Sequence, residues 1–391
     1  MSDTIWDYVI VGGGISGLYL AHQLQKKYKD QRSILILEKE PVLGGRIRQT
    51  MYHSHRVVTG AGVGRWNKDV LLAQLVQDAV PQKKIKPWTS RVSFSFPPVD
   101  TFSFLSILKK QHYSWLLHHR STHTFREAFL HFFTLNEYKR FCDSNGYTDF
   151  EKADAIDTLD NYGFEDNQPG VPYFNVPWNR LVDHLRSRLK QSDNIHIQTR
   201  IEVMRCSFDQ SRDLWTCRTN HLETVKSRVV VFAGSVLRFP DPIVRRNIRT
   251  QPFLRMYGWT PPQKNKASPK VCPNGMCYRT DAFQKQIRIS PHVWMLSYSD
   301  NRHAIRTNRM TEDQIRQALD FPIQDIRRFF WKHGTHYYPP LPTKQFKDRE
   351  AFIRYAQHPR PGLFLVGEAI SNNQGWTQGA LESVHKILHL L

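Results

Sequence analysis

Gly12-x-Gly14-x-x-Gly17 is the first run whose residue types and spacing imply chemistry, and an acid follows it at Glu38. Each glycine has its own task around a pyrophosphate. Gly12 permits a tight turn, Gly14 lets the phosphates approach the backbone, and Gly17 lets a helix pack closely on a strand. Ser16 lies inside the run, where the helix begins and its positive end faces the anion. Glu38 can accept hydrogen bonds from both hydroxyls of a ribose. A 2′-phosphate would be repelled there, which disfavours NADP.

Such a motif works only if the elements around it hold it in place. Residues 7–11, Asp-Tyr-Val-Ile-Val, form a short β-branched run that reads as a buried parallel strand. Residues 18–24 have the apolar spacing of a helix, and residues 34–37, Ile-Leu-Ile-Leu, read as a second strand that ends at Glu38. Strand, glycine turn, helix, strand and acid stand in the order a dinucleotide site requires.

A second glycine pair follows, Gly44-Gly45-Arg46, just after Glu38-Lys39. The glycines admit the backbone to a phosphate and Arg46 brings a charge-assisted donor. Thr59-Gly60-Ala61-Gly62-Val63-Gly64 then makes a further glycine-rich turn. Near the C-terminus an apolar strand leads to Gly367-Glu368, a polar loop, and Gly375-Trp376-Thr377-Gln378-Gly379-Ala380 at the head of a helix. These segments resemble those of the flavin-containing amine oxidase superfamily, monoamine and polyamine oxidases among them. The likeness extends to residues 176–189 as a helix, residues 195–201 as a strand ending at Ile201, a hairpin around 208–214, and a buried strand at 228–234. It covers roughly half the chain well and the rest loosely.

The resemblance implies an α/β architecture in two domains, a Rossmann-type FAD-binding domain and a mixed α+β substrate domain. Residues 1–80, 176–240 and 345–391 would form the first. Residues 81–175 and 241–344 would form the second, with a helical insertion. FAD would be held by Gly12, Gly14, Ser16, Gly17, Glu38, Lys39, Gly44, Gly45, Arg46, Gly60, Ala61, Gly62, Val63, Ile201, Gly367, Glu368, Trp376, Thr377 and Ala380. The backbone of Thr377 would meet the flavin carbonyl at the positive end of the last helix, with Gly379 and Ala380 letting the ring lie close. Covalent flavin in this family needs a cysteine near the aromatic segment. No cysteine follows Cys277, so FAD is expected to be non-covalent.

On the substrate side, family members often set two aromatic rings across the flavin face. Trp376 falls at one of those positions, or it simply packs. The Pro339-Pro340 register puts Gly334 opposite the other ring, leaving Tyr337 and Tyr338 as shifted candidates or as ordinary core tyrosines. Where relatives place a lysine bonded through water to the flavin, this chain has Arg255. It keeps the charge but cannot serve as a base, and it also reads as a surface or salt-bridged arginine. Residues 253–259, 286–289 and 293–298 look like strands, residues 300–304 like an exit turn, and residues 311–315 like a helix start. Cys206 and Cys217 fall across a hairpin, and the Cys272-x4-Cys277 pair has no zinc-spaced companion. Eighteen histidines form no metal motif.

With 391 residues, 40% of them hydrophobic and ten tryptophans, the chain can bury two cores. Disordered, collagen-like and coiled-coil classes are excluded. No apolar run reaches the roughly 18 residues of a membrane span. No signal peptide is read at the start, and with five cysteines a reducing compartment is expected, the cytoplasm or a virion. The net charge of +20, from 55 Lys and Arg against 35 Asp and Glu, favours nucleic acid or another polyanion as partner, or is a generally basic surface. Compact length, basic charge and the altered Gly334 and Arg255 positions also resemble short homologues from large DNA viruses. The activity implied is oxidation of an amine to an imine through hydride transfer to flavin N5, with O2 giving hydrogen peroxide. The alternatives are oxidation of an amino acid, porphyrinogen or isoprenoid-type substrate on the same fold, or a non-catalytic flavoprotein.

Overall fold

A computed structural model of the chain describes residues 4–234, 236–261, 275–319 and 321–391. Strands Ile5–Val11, Ile34–Glu38, Ile195–Thr199, Thr224–Phe232 and Leu363–Leu365 run parallel in one sheet. All five residues of Ile34–Glu38 are buried, because helices cover the sheet and leave no polar face to alternate with. Helices Ile15–Tyr28, Trp178–Leu189 and Thr377–Ile387 pack together over this sheet. The hairpin of Val203–Asp209 and Leu214–Thr219 extends it antiparallel onto the first half of Thr224–Phe232, and Leu363–Leu365 pairs with the second half. Cys206 and Cys217 are register partners in that hairpin, with free thiols 2.7 Å apart.

The second sheet is built on the long central strand Arg249–Trp259. It lies antiparallel between Gln324–Tyr337 and Val293–Asp300. Lys285–Arg288, Met276–Tyr278 and Val92–Phe94 complete it. Beside it five helices, Thr101–Gln111, Tyr113–His118, Phe125–Phe132, Leu135–Asn145 and Ala155–Asn161, enclose their own core. Phe125, Phe129, Phe141, Phe150 and Phe164 meet there in edge and tilted contacts. This explains the aromatic richness of residues 102–147. Thr124 with Glu127 and Thr134 with Glu137 form reciprocal caps that fix where two of the helices start.

The proposed exit turn at 300–304 is a helix instead, Asn301–Arg309. Asp300 stands at its N-cap position but spends its carboxylate on Thr148 and Gln284, a tertiary demand no local pattern reveals. Thr311 does start a helix, through a capping box with Gln314. Cys272 lies outside the described residues. Among those described, no helix is long and apolar enough to cross a membrane and no cluster of three metal-ligating side chains occurs.

Candidate functional site

The strand Ile5–Val11 delivers the chain into a turn in which Gly12 takes φ +118° and donates to Leu37. A methyl on Gly17 would stand 2.0 Å from the Gly12 carbonyl, so only glycine fits. A methyl on Gly14 would meet nothing within 4 Å. That open space is the cradle a phosphate needs. Gly44 lies beside it, bridged to Gly14 and donating to the Gly13 carbonyl at 2.9 Å, and Gly45 follows. Glu38, 6% exposed, accepts from Gly13 N at 2.7 Å and from Glu40 N at 2.8 Å. A carboxylate has about four lone-pair sites, so acceptor capacity is left for ribose hydroxyls. Ile201 is tied to the Glu38 carbonyl, whereas Lys39 is exposed beside Glu40.

Arg46 begins the second half of the site. Its carbonyl accepts from Ala61 N and lies where a methyl on Gly60 would be, 1.9 Å away. Its guanidinium donates 2.7 Å bonds to Glu368 and to the Gly334 carbonyl. Glu368 also accepts from Gly375 N and pairs with His336 Nδ1 at 2.5 Å. Burial alone would raise this carboxyl; His336 and Arg46 overcome it, with the Gly375 amide, and hold it well below the carboxylate range. Arg46 and Glu368 are therefore joined to each other, leaving part of the guanidinium for an external anion. His336 was missed because nothing local marks it: its partner is 32 residues away.

Arg255 reaches the turn at 60–62. Its Nε donates to the Gly60 carbonyl at 2.6 Å, and its Nη2 lies 2.9 Å from where a methyl on Gly62 would stand. Val63 opens the next strand from this turn. Arg255 is buried and sits over Tyr298, 4.1 Å from the ring centroid. Among the described residues it makes no carboxylate ion pair, and its Nε is held by the Gly60 carbonyl instead. Lys285 shares the Tyr298 ring from 4.7 Å and also sits over Tyr147. Burial pulls its ammonium well below the usual range, against the attraction of Asp300 and Asp149.

Trp376 is half-buried beneath the guanidinium of Arg65. The final helix begins at Thr377 with no side-chain cap, so its first amides face whatever lies ahead of it. Gly367 has φ +128° and comes near Ser16. A methyl on Gly379 would collide with Ser371 and Asn373, and Ala380 is buried in the helix-packing core, so both serve the closeness of loop and helix. Gly334 has no room for any side chain, since Phe253 Cβ is 2.3 Å from its would-be methyl. Tyr338 is buried, bonding Ser371 O under Arg349. Tyr337 is half-buried on a neighbouring cavity.

The NAD(P)-binding Rossmann-like domain family matches residues 10–66. No curated protein matches the sequence. Among solved structures, a cofactor-binding variant of putrescine oxidase aligns over 97% of both chains, with a TM-score of 0.72 and 10% identity. Putrescine oxidase bound to putrescine aligns over 98% of both, with 0.71 and 11%. A candidate protoporphyrinogen oxidase from Exiguobacterium sp. 255-15 aligns over 100% of this chain and 99% of its own, with 0.65 and 12%. At these identities the likeness is one of fold: the mixed α/β architecture of these oxidases, with its Rossmann-type domain.

Proposed function

We propose that this chain is an FAD-dependent oxidoreductase of the amine oxidase type, with FAD held non-covalently. One observation carries the reading. The Gly12–Gly17 turn, the Gly44-Gly45-Arg46 loop and the segment 367–377 meet at one place, although Arg46 and the Glu368 it bonds are 322 residues apart. The likeness of fold to putrescine oxidase supports the same reading. Segments 1–80, 176–240 and 345–391 would hold the cofactor, and 81–175 with 241–344 would close over it.

When bound, the flavin supplies the redox chemistry, accepting hydride equivalents from the carbon beside an amine nitrogen and passing electrons to O2. The chain's own residues orient and exclude. Glu38 accepts from the ribose. Gly14 leaves space for the phosphates, and Arg46 offers its remaining N–H donors there. The uncapped amides at Thr377 stabilise negative charge at the pyrimidine end of the ring. Trp376, backed by Arg65, would form one wall in front of the ring, and Arg255 holds a fixed positive charge at the turn 60–62.

The test is the visible spectrum of the purified protein, followed during anaerobic titration with a panel of amines. Bleaching by an amine and recovery in air would support the reading. A second reading, a flavoprotein without amine chemistry, is favoured by Gly334, where no second aromatic wall fits. Under it, the flavin spectrum is present and no amine bleaches it. A colourless protein that rejects added FAD would overturn both.

A further inference from the structure

A cavity of about 60 Å³ lies between the helix Ala155–Asn161, the end of the strand Gln324–Tyr337 and the loop at 371–375. Neither Trp376, Arg255 nor the turn at 60–62 lines it. It adjoins the place assigned to the flavin ring, sharing Gly375 with the segment 367–377 and carrying Tyr337 and Tyr338 on its wall, but opens on the other side of His336. His336 stands between the two: its Nδ1 pairs with Glu368, and its Nε2, on the cavity, has no partner.

Three further unpartnered polar atoms mark this as a built site. Gln251, 4% exposed, donates its amide to the Asp149 carbonyl and leaves Oε1 unpartnered. Hydroxyls of Thr158 and Thr335 are also buried and unpartnered. Native interiors rarely leave so many polar atoms unsatisfied around one space unless something fills it. The charge balance then selects the filler. Asp154 and Asp157 are matched by Arg120 and Arg349. Asp149 receives the Tyr162 hydroxyl and, among the described residues, no ion pair. Lys285 is shared between Asp149 and Asp300, and burial drives it toward neutrality. Asp149 is the carboxyl left over; burial and Asp300 push it up to about 7, so a cation beside it would be welcome.

We propose that this cavity is a second binding site, for a small hydrogen-bonding cation of guanidinium or alkylammonium size. Its N–H groups would bond Asp149, Gln251 Oε1 and the Thr158 and Thr335 hydroxyls. The volume suits about four water-sized groups. Arg349 Nη1 and His336 Nε2, also unpartnered on this cavity, are left for waters or a hydroxyl on the ligand.

The test is calorimetric titration of the purified protein with guanidinium chloride at millimolar concentration, against sodium chloride of equal ionic strength. Guanidinium has no C–H bond beside nitrogen and cannot reduce a flavin, so the result is independent of the proposed oxidase activity. Saturable binding is expected, weakened at least tenfold in both Asp149→Asn and Gln251→Leu. Thermal unfolding of each variant checks that it is folded. Thr335→Val is the substitute should either fail to fold, with the same weakening expected. Heats no larger than those of sodium chloride, or binding that the folded variants leave unchanged, would overturn the site and show that the cavity holds water only.

Discussion

The guanidinium of Arg65 sits over the indole of Trp376, 4.1 Å from the ring centroid, and is clamped from behind by Asp69 at 2.7 Å and Asp166 at 2.8 Å. Both carboxylates are buried. The cation cannot swing away, so the indole has a fixed support.

That support makes Trp376 and Arg65 act together. Trp376→Ala should slow flavin reduction by an amine at least tenfold while FAD content falls little. Arg65→Lys keeps the charge for the two carboxylates but loses the planar face; it should slow reduction in the same direction and by less. Stopped-flow reduction alongside the flavin absorbance of each protein decides. Equal rates in wild type and Trp376→Ala would remove this residue from the site.

Glu38 gives a cleaner test of the cofactor. Hydrogen bonds to a charged acceptor contribute about 1.5–3 kcal/mol each, so Glu38→Ala should raise the FAD dissociation constant at least tenfold. Glu38→Gln keeps one acceptor and should lie between. Fluorescence titration of the FAD-stripped proteins measures this. Unchanged affinity in Glu38→Ala would end the ribose assignment, and loss of the bonds to Gly13 and Glu40 would appear separately as a lower Tm.

The Rossmann-type half was legible because it is local. Gly12 to Glu38 lies in one strand–turn–helix–strand unit whose spacing states its purpose, and Gly44-Gly45-Arg46 follows within ten residues. The hairpin of Cys206 and Cys217 was legible for the same reason. His336, Lys285 and Asp149 were not. Each has its role only through partners in other elements: Glu368, the ring of Tyr298, and Asp300. Helix Asn301–Arg309 was missed because Asp300, which would have signalled a cap, faces Thr148 instead.

Under the proposed function Arg255 would bear on reoxidation. It holds the carbonyl of Gly60 and stands at the approximate sequence position where the resemblance puts a lysine. Arg255→Lys should retain FAD and shorten the reoxidation time of the reduced flavin in air, because a lysine ammonium can give up a proton where a guanidinium cannot. Arg255→Met should lengthen it. Identical reoxidation in all three proteins would leave Arg255 a packing residue.

His22 sets part of the acid limit of the fold. Burial, with Lys26 nearby, lowers its pKa from the ordinary 6.5 to about 4, and its Nδ1 has no partner. Between those values the unfolded chain takes a proton that the folded chain refuses. The unfolded state thus binds more protons, and stability falls as pH drops from 6.5 towards 4. His22→Leu removes this term, so the Tm of the variant should gain on wild type steadily across that window. Parallel Tm curves would show that His22 is protonated in the folded protein.

Gly334 leaves no room for an aromatic ring at its own position, and its surroundings predict what placing a side chain there would require. Its would-be methyl lies 2.3 Å from Phe253 Cβ and 3.0 Å from Phe253 N, across paired strands. Gly334→Ala should therefore destabilise the protein by about 1–3 kcal/mol, the usual cost of overpacking. Phe253→Ala offers no relief, because alanine keeps the offending Cβ. Only Phe253→Gly removes it. The double variant Gly334→Ala with Phe253→Gly should accordingly lose less stability than the sum of its single variants, while Gly334→Ala with Phe253→Ala should not. Urea unfolding of the six proteins, wild type included, measures both cycles. Additivity in the Phe253→Gly cycle would mean that the two strands part without strain.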